Sequence, residues 1–203
     1  MDILTMKSKV SIGCNRCDKC CVYRGDIKLT GVNIYQISKH LNMTPKEFIE
    51  KYTDRLEDSF PEIVFKTKGE KRECILYDDD FKGCSINSIK PLQCIMFPLV
   101  PENLKRNYFI SNNQCPYVPP KKITVKKWLD GNNRLYSKNK KNYLKWISYM
   151  EWISYRKDKL SNEEKEKIYF YLFENYDISK RNLNKQFDSN LKEVEKIINQ
   201  KED

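Results

Sequence analysis

The chain has 203 residues, 33% of them charged, and a formal net charge of +10. Its length fits one domain, or one domain with an appended helical part. No stretch approaches the roughly 18 apolar residues that a membrane-spanning helix needs, so membrane insertion is not expected. His40 is the single histidine. Cys/His zinc fingers are therefore excluded as a general plan, and nothing places His40 beside a serine and an acid as in a hydrolase triad.

Four of the eight cysteines lie within eight residues near the start of the chain. Cys14, Cys17 and Cys20 recur at every third position, which lets three thiolates turn toward one metal ion or cluster. Cys21 projects in a different direction from Cys20, so we expect it to serve a second site or to line the first. The other thiols lie farther along the chain, at Cys74, Cys84, Cys94 and Cys115.

The dense cysteines predict metal binding and not disulfides. The first nine residues contain no apolar run long enough for a signal peptide, so we expect a cytoplasmic protein. Clustered cysteines in that compartment bind metals or carry out redox chemistry. If all eight bind, they divide into two sets: Cys14, Cys17 and Cys20 with one downstream thiol, and Cys21 with the other three.

The metal is predicted to be an iron-sulfur cluster, most simply [4Fe-4S]. Eight cysteines without a histidine partner suit a cube held by thiolates that radiate from one compact loop. A structural zinc site made of four cysteines stays open as the alternative. The sequence does not choose which downstream thiol completes the first set.

Short strands and capped helices are predicted between the cysteines. Apolar and polar residues alternate over residues 22–29, which predicts a strand, and a helix should follow over residues 30–42. A capping box at Thr44 and Glu47 predicts a second helix over residues 45–54.

The next segment is predicted to place three of the downstream thiols. Strands are expected over residues 61–67 and 72–77, and the acidic turn after them should bring Cys74 and Cys84 together at the base of a hairpin. A single helical turn bounded by prolines should then hold Cys94 on a rigid stretch of backbone, as suits a metal ligand.

From Thr124 onward the pattern is helical. Breaks are expected near Gly131 and at residues 158–161, followed by a capping box that begins at Ser161 and a final helix over residues 180–199. Five aromatic residues recur every third position, so on a helix they drift around the axis instead of forming one stripe. They are Tyr143, Trp146, Tyr149, Trp152 and Tyr155. Packing against neighbouring helices is the expected role, with base stacking or a partner helix as the alternative.

The two parts of the chain differ in charge. Residues 1–120 contain 18 basic and 15 acidic residues, whereas residues 121–203 contain 20 and 13. The second part is therefore the more basic one and could bind nucleic acid or an acidic protein. Acids are interspersed among the bases as on a solvated helical surface, which disfavours nucleic acid.

Several motifs occur in a fixed order along the first part of the chain. They are Cys-x-x-Cys-x-x-Cys-Cys at residues 14–21, Cys74, Gly83-Cys84-Ser85-Ile86, Lys90-Pro91-Leu92-Gln93-Cys94, Phe97-Pro98 and Cys115-Pro116. In this combination, over about residues 10–120, the chain resembles the CxxCxxCC family of zinc- or iron-chelating proteins, also called YkgJ-like cysteine-cluster proteins. The chain departs from the family pattern at Asn87, Lys90 and Ile95, and none of these changes affects a thiol.

The resemblance implies a second function class. One branch of the family is similar to flagellin lysine N-methylases, which use S-adenosylmethionine, so the chain could be a protein-lysine methyltransferase whose partner carries exposed lysines. No glycine-rich loop of the nucleotide-cradling kind is present, so S-adenosylmethionine would bind by another route, near the cluster. The resemblance identifies no catalytic residue for this reaction and no residue that binds S-adenosylmethionine.

The sequence as a whole predicts a helix-rich α+β metalloprotein. Residues 1–120 should form a cysteine-cluster domain with a small β hairpin, and residues 121–203 a basic, aromatic-rich helical region packed on it. The predicted function is metal binding through the eight cysteines. Lysine methylation is the alternative, and a structural zinc protein that binds nucleic acid or an acidic partner is a further one.

Overall fold

The computed structural model describes residues 3–12, 27–80, 82–101, 108–110, 121–130 and 133–200. The helices in these ranges are α1 (Gly31–Leu41), α2 (Pro45–Tyr52), α3 (Leu92–Met96), α4 (Val125–Asp130), α5 (Asn133–Ser154), α6 (Asn162–Tyr169) and α7 (Leu183–Asn199). The strands are β1 (Lys9–Ile12), β2 (Thr53–Arg55), β3 (Ile63–Phe65), β4 (Thr67–Lys68), β5 (Glu73–Cys74), β6 (Tyr77–Asp78), β7 (Gly83–Cys84), β8 (Leu99–Pro101), β9 (Tyr108–Ile110) and β10 (Lys121–Thr124). The predicted helix-rich α+β fold is confirmed. None of the described helices is both long enough and apolar enough to cross a membrane.

Side-chain caps fix the starts of three helices where the sequence predicts them. The Thr30 hydroxyl accepts the backbone N–H of Asn33 at 3.1 Å, and the Asn33 side-chain oxygen accepts the N–H of Thr30 at 3.0 Å. Thr44 and Ser161 make the same reciprocal contacts with glutamates three residues later. Each box satisfies two N–H groups that a helix start leaves unpaired, so α1, α2 and α6 begin at defined residues.

The ends of two helices differ from the prediction for local reasons. Helix α2 ends at Tyr52 and not near residue 54, because Thr53 already pairs with Phe65 in the β2–β3 ladder. Helix α7 begins at Leu183 and not near residue 180. The Asp177 carboxylate accepts the backbone N–H of Ser179 at 3.0 Å and forms a turn there instead.

The strands form five antiparallel pairs, each of two strands in the described ranges. Four pairs join strands that are neighbours in the chain, and the fifth joins β1 to β10, with Ile12 opposite Lys121. Of the strand predicted over residues 22–29, only residues 27–29 are described, and Lys28 forms an isolated bridge with Val64.

The predicted hairpin before Cys84 is present, with a different residue opposite that cysteine. Cys84 pairs with Tyr77 in the β6–β7 ladder, whereas Cys74 pairs with Thr67 in the β4–β5 ladder. The chain turns at residues 75 and 76, so the strand predicted over 72–77 is split between two successive hairpins.

Two hydrophobic clusters form the interior. The first joins α1, α2, β3 and the two hairpins to α5, α7 and the π-helical turn Phe170–Glu174, and its completely buried side chains include Ile34, Ile37, Phe48 and Phe187. The second joins β1, α3, β8, β9 and α4, and includes Val10, Ile12, Leu92, Ile95, Met96, Val125 and Leu129. Burial of these side chains is the main favourable contribution to folding.

The aromatic residues of α5 spread around the helix as their spacing predicts. Tyr143 packs against the second cluster, and Trp146 is buried in the first, where its ring stacks on Phe187 with centroids 6.3 Å apart. Tyr155, at the C-terminal end of the series, is 79% exposed. The series therefore serves mainly as packing surface between α5 and its neighbours.

A buried amide pair joins α7 to the residue after the π-helical turn. The Asn190 side chain donates to the Asn175 carbonyl oxygen and accepts from the Asn175 side chain, both at 2.8 Å, and Asn190 is 3% exposed. Asn190→Ala is expected to lower the free energy of unfolding by about 2 kcal/mol, because it removes two hydrogen bonds of a buried side chain, each worth about 1 kcal/mol. Urea unfolding measures the loss.

Asn184→Ala is the matched control for that prediction. Asn184 is exposed on the same helix and accepts a hydrogen bond from Asn142. Its replacement should change stability by less than about 0.5 kcal/mol. Equal unfolding midpoints for the two variants would contradict the importance of the buried pair.

Candidate metal centre

Three of the eight predicted ligands lie within the described residues. They are Cys74 on β5, Cys84 on β7 and Cys94 on α3. The predicted ligands Cys14, Cys17, Cys20, Cys21 and Cys115 lie outside the described residues. The three described cysteines all contact the first hydrophobic cluster. Cys74 is a buried member of it, and Cys84 and Cys94 are half-buried neighbours.

The two hairpins place Cys74 and Cys84 close together. Burial raises the pKa of the Cys74 thiol to about 11, the backbone N–H of Leu76 opposes that rise, and the neighbouring Cys84 adds to it. The two sulfurs are therefore near enough to interact electrostatically. A thiol with so high a pKa is protonated at neutral pH, so a metal ion that binds it must displace the proton.

Helix α3 separates the two hydrophobic clusters and carries Cys94. Leu92, Ile95 and Met96 follow the three- and four-residue spacing of one helical face, and all three are buried in the second cluster. Cys94 lies on the opposite side of the helix and contacts the first cluster. The short helix therefore directs the thiol to the first cluster, which Cys74 and Cys84 also contact.

Gln93 ties α3 to the chain that follows the N-terminal cysteines. Its side-chain oxygen accepts the backbone N–H of Lys28 at 3.0 Å, and its side chain also forms a hydrogen bond with the hydroxyl of Tyr143 on α5. Burial raises the pKa of that Tyr143 hydroxyl, and the bond to Gln93 opposes the rise. Gln93 thus links three parts of the chain beside Cys94.

The residues that flank the two other cysteine-bearing segments pack in the same two clusters or pair with a residue of one. The segment with the first four cysteines lies between Ile12, buried in the second cluster, and Ile27, buried in the first. The segment with Cys115 lies between Ile110, which packs against the second cluster, and Lys121, which pairs with Ile12. The fold therefore anchors both segments in the clusters that α3 borders.

The predicted ligands in the described part of the chain are all thiols. His40 is exposed in the last turn of α1, as expected of a surface side chain. No group of three or more His, Cys, Asp or Glu side chains in the described ranges is arranged to hold a metal ion. A complete centre would need the cysteines outside those ranges. The donor set that is described fits a thiolate-bound metal.

A family model with the description "Putative zinc- or iron-chelating domain" matches residues 13–116, a span that contains all eight cysteines and about half of the chain. The chain belongs to the CxxCxxCC family. No solved structure matches the chain.

Membership of the CxxCxxCC family confirms the resemblance and supports metal binding in general, by zinc or by iron. The identities of the eight ligands, the division at residue 120, the use of S-adenosylmethionine and a protein-lysine substrate stay predictions.

Sequence reasoning missed the positioning residue Gln93 and the strand β1. Gln93 precedes a cysteine within the family motif, which is the signal that could have found it. The alternation Lys9-Val10-Ser11-Ile12 has the two-residue period of a strand. Its partner lies more than one hundred residues away, and local pattern does not identify so distant a partner.

Gln93→Ala is expected to lower metal affinity by about 10- to 100-fold, the range for residues that orient metal ligands. The variant frees the Lys28 N–H and the end of the segment that carries the N-terminal cysteines. Competition with a chelator measures the change.

Gln186→Ala is the matched control, because the Gln186 side chain accepts the backbone N–H of Asp177 in the same way, at 2.7 Å, on α7. It should leave metal affinity unchanged. An equal loss of affinity in both variants would contradict the role of Gln93.

Proposed function

We propose that the chain holds an iron-sulfur cluster through cysteine thiolates and is a metal-binding protein built around it. The observation that carries this proposal is the contact of Cys74, Cys84 and Cys94 with one hydrophobic cluster. Such surroundings favour soft thiolate ligation and keep water away from the metal.

The anchoring of the undescribed segments supports a shared centre. Ile12 precedes Cys14 by two residues, and two residues extend at most about 7 Å. Ile12 packs in the cluster that α3 borders, and α3 carries Cys94. The N-terminal motif therefore starts at most about 7 Å along the chain from a residue that packs in this cluster. The proposed ligands are all eight cysteines, divided as Cys14, Cys17 and Cys20 with one downstream thiol, and Cys21 with the other three.

Iron is preferred over zinc for a chemical reason. Three thiolates at three-residue spacing leave one corner of a cube to a downstream thiol, and eight cysteines exceed what one tetrahedral zinc ion needs. An iron-sulfur cluster would supply one-electron chemistry at a potential set by the surrounding charge and hydrogen bonds. The protein residues would hold it and exclude water.

The experiment that tests this proposal is elemental analysis of protein purified without oxygen. Iron, acid-labile sulfide and zinc are measured per chain, together with a visible spectrum. Near-equal iron and sulfide with absorption around 400 nm, as expected of thiolate-held clusters, would support the proposal. Stoichiometric zinc without sulfide would overturn it in favour of a structural zinc site.

A further inference from the structure

Strands β1 and β10 belong to a ladder that continues beyond both of them. Val125 donates its backbone N–H to the Ser8 carbonyl oxygen at 3.0 Å, and Lys126 donates to the Met6 carbonyl oxygen at 3.0 Å. Together with the register of Ile12 opposite Lys121, these contacts make one ribbon from residues 6–12 and 121–126. The ribbon leads directly into α4.

One face of this ribbon is apolar and the other is basic. Val10 and Ile12 are buried in the second cluster, whereas Lys9 and Ser11, which alternate with them, are exposed. Lys122 lies opposite Ser11 and shares the exposed face with Lys9. We define the lysine ribbon as the exposed set Lys7, Lys9, Lys122 and Lys127.

The lysine ribbon has little acidic charge of its own. Residues 3–12 contain no acid, and residues 121–130 contain only Asp130, at the end of α4. Some lysines elsewhere are paired, for example Lys145 with Asp188 and Lys196 with Glu193. No acid in the described ranges forms an ion pair with Lys7, Lys9, Lys121, Lys122 or Lys127. The face therefore presents a concentrated positive field to a partner.

The side chains favour a carboxylate-rich partner over a nucleic acid. These segments contain no arginine, which would make bidentate contacts to phosphates and bases. Their one aromatic residue, Trp128, is half-buried and donates its indole N–H to the Met96 carbonyl oxygen at 3.3 Å, so the face offers no exposed ring for base stacking. Alternate residues on a strand are about 6.8 Å apart, and an extended acidic peptide presents its side chains at the same interval.

We propose that the lysine ribbon binds an acidic segment of a protein partner. One end of the ribbon, at Ile12 and Lys121, adjoins the two segments that carry Cys14 and Cys115. The proposal does not depend on which metal the chain holds.

The test measures binding of a fluorescein-labelled polyglutamate peptide to the metal-loaded full chain by fluorescence anisotropy, at low and at physiological ionic strength. The test variant carries Lys9→Glu and Lys122→Glu. The matched control carries Lys185→Glu and Lys192→Glu, two exposed lysines on α7, so that both variants have the same net charge. A labelled single-stranded RNA and a labelled duplex DNA serve as competing probes.

Polyglutamate should bind the unaltered chain, and binding should weaken about tenfold in the ribbon variant and less than about twofold in the control. Equal weakening in both variants would overturn the proposal, as would tighter binding of either nucleic acid than of polyglutamate at the same ionic strength. Absence of polyglutamate binding would also overturn it. If the strand variant does not fold, Lys7→Glu with Lys127→Glu replaces it, because neither residue lies in a strand.

Discussion

Replacing Cys94 by serine is expected to remove the metal while leaving the metal-free fold almost unchanged. Cys94 lies on the side of α3 away from Leu92, Ile95 and Met96, and its backbone N–H donates to the Pro91 carbonyl oxygen at 3.0 Å. Serine keeps that hydrogen bond and nearly the same volume. A serine hydroxyl, however, does not ionise at neutral pH and is a hard ligand, so metal affinity should fall at least about 100-fold.

Two measurements make this prediction specific. Metal content per chain should fall in Cys94→Ser, and the rise in thermal stability that metal gives the unaltered chain should disappear. Ser85→Ala is the matched control. Ser85 follows Cys84 and donates its hydroxyl to the Leu76 carbonyl oxygen at 3.0 Å, so its replacement disturbs the hairpin that carries Cys84 without removing a thiol. Cys94→Ser protein with unchanged metal content would contradict the assignment of Cys94.

Cys17→Ser is expected to lose metal and also to fold poorly. Cys17 is the middle thiol of the N-terminal motif, and metal binding and folding are coupled in such sites. Circular dichroism and metal analysis on the purified variant measure both effects. A variant with full metal content and full stability would contradict the role of the N-terminal motif.

Gly31→Ala is expected to be strongly destabilising because α1 contacts the chain near the π-helical turn at this residue. A Cβ atom at position 31 would lie 2.1 Å from the Tyr176 hydroxyl oxygen and 2.2 Å from the Leu172 carbonyl oxygen. Tyr176 is 6% exposed and the second atom belongs to the backbone, so neither moves aside easily. Overpacking of this kind costs about 3 kcal/mol, which corresponds to a fall in melting temperature of about 6–12 °C.

Gly69→Ala provides the comparison for that variant. Gly69 has a φ of 65°, and a Cβ atom there would meet nothing within 4 Å. Its replacement should cost about 1 kcal/mol, from the left-handed backbone conformation alone. A melting temperature of Gly31→Ala equal to that of Gly69→Ala would contradict the close approach of α1 to Leu172.

Helix starts could be predicted from the sequence because their signals are local. Thr44 with Glu47, and Ser161 with Glu164, satisfy N–H groups within the same four residues, so no knowledge of the rest of the fold is needed. The proline-bounded turn at Cys94 was predictable for the same reason, since α3 begins directly after Pro91.

The arrangement of the strands could not be predicted in the same way. Several strands have only two residues, too few to show an alternation, and the turn at residues 75 and 76 carries neither glycine nor proline. The pairing of β1 with β10 depends on contacts between residues that are more than one hundred positions apart in the chain. It brings the lysines of residues 7–9 beside those of residues 121–127, which explains why sequence reasoning found a basic second half but not the ribbon.

The chemistry of the candidate centre was more predictable than its geometry. The spacing of Cys14, Cys17 and Cys20 indicates thiolate ligation whatever the fold around it. Which downstream thiols share the site depends on the hairpins and on α3, and these place Cys74, Cys84 and Cys94 on one hydrophobic cluster.

The central claim is that the metal is held by thiolates alone, and X-ray absorption at the edge of the bound metal tests it most directly. The metal-loaded full chain should show a first shell made only of sulfur at about 2.3 Å, the distance for thiolate ligands. The same spectrum of Cys94→Ser protein should show a reduced metal signal. A first shell dominated by nitrogen or oxygen in the unaltered chain would contradict the account.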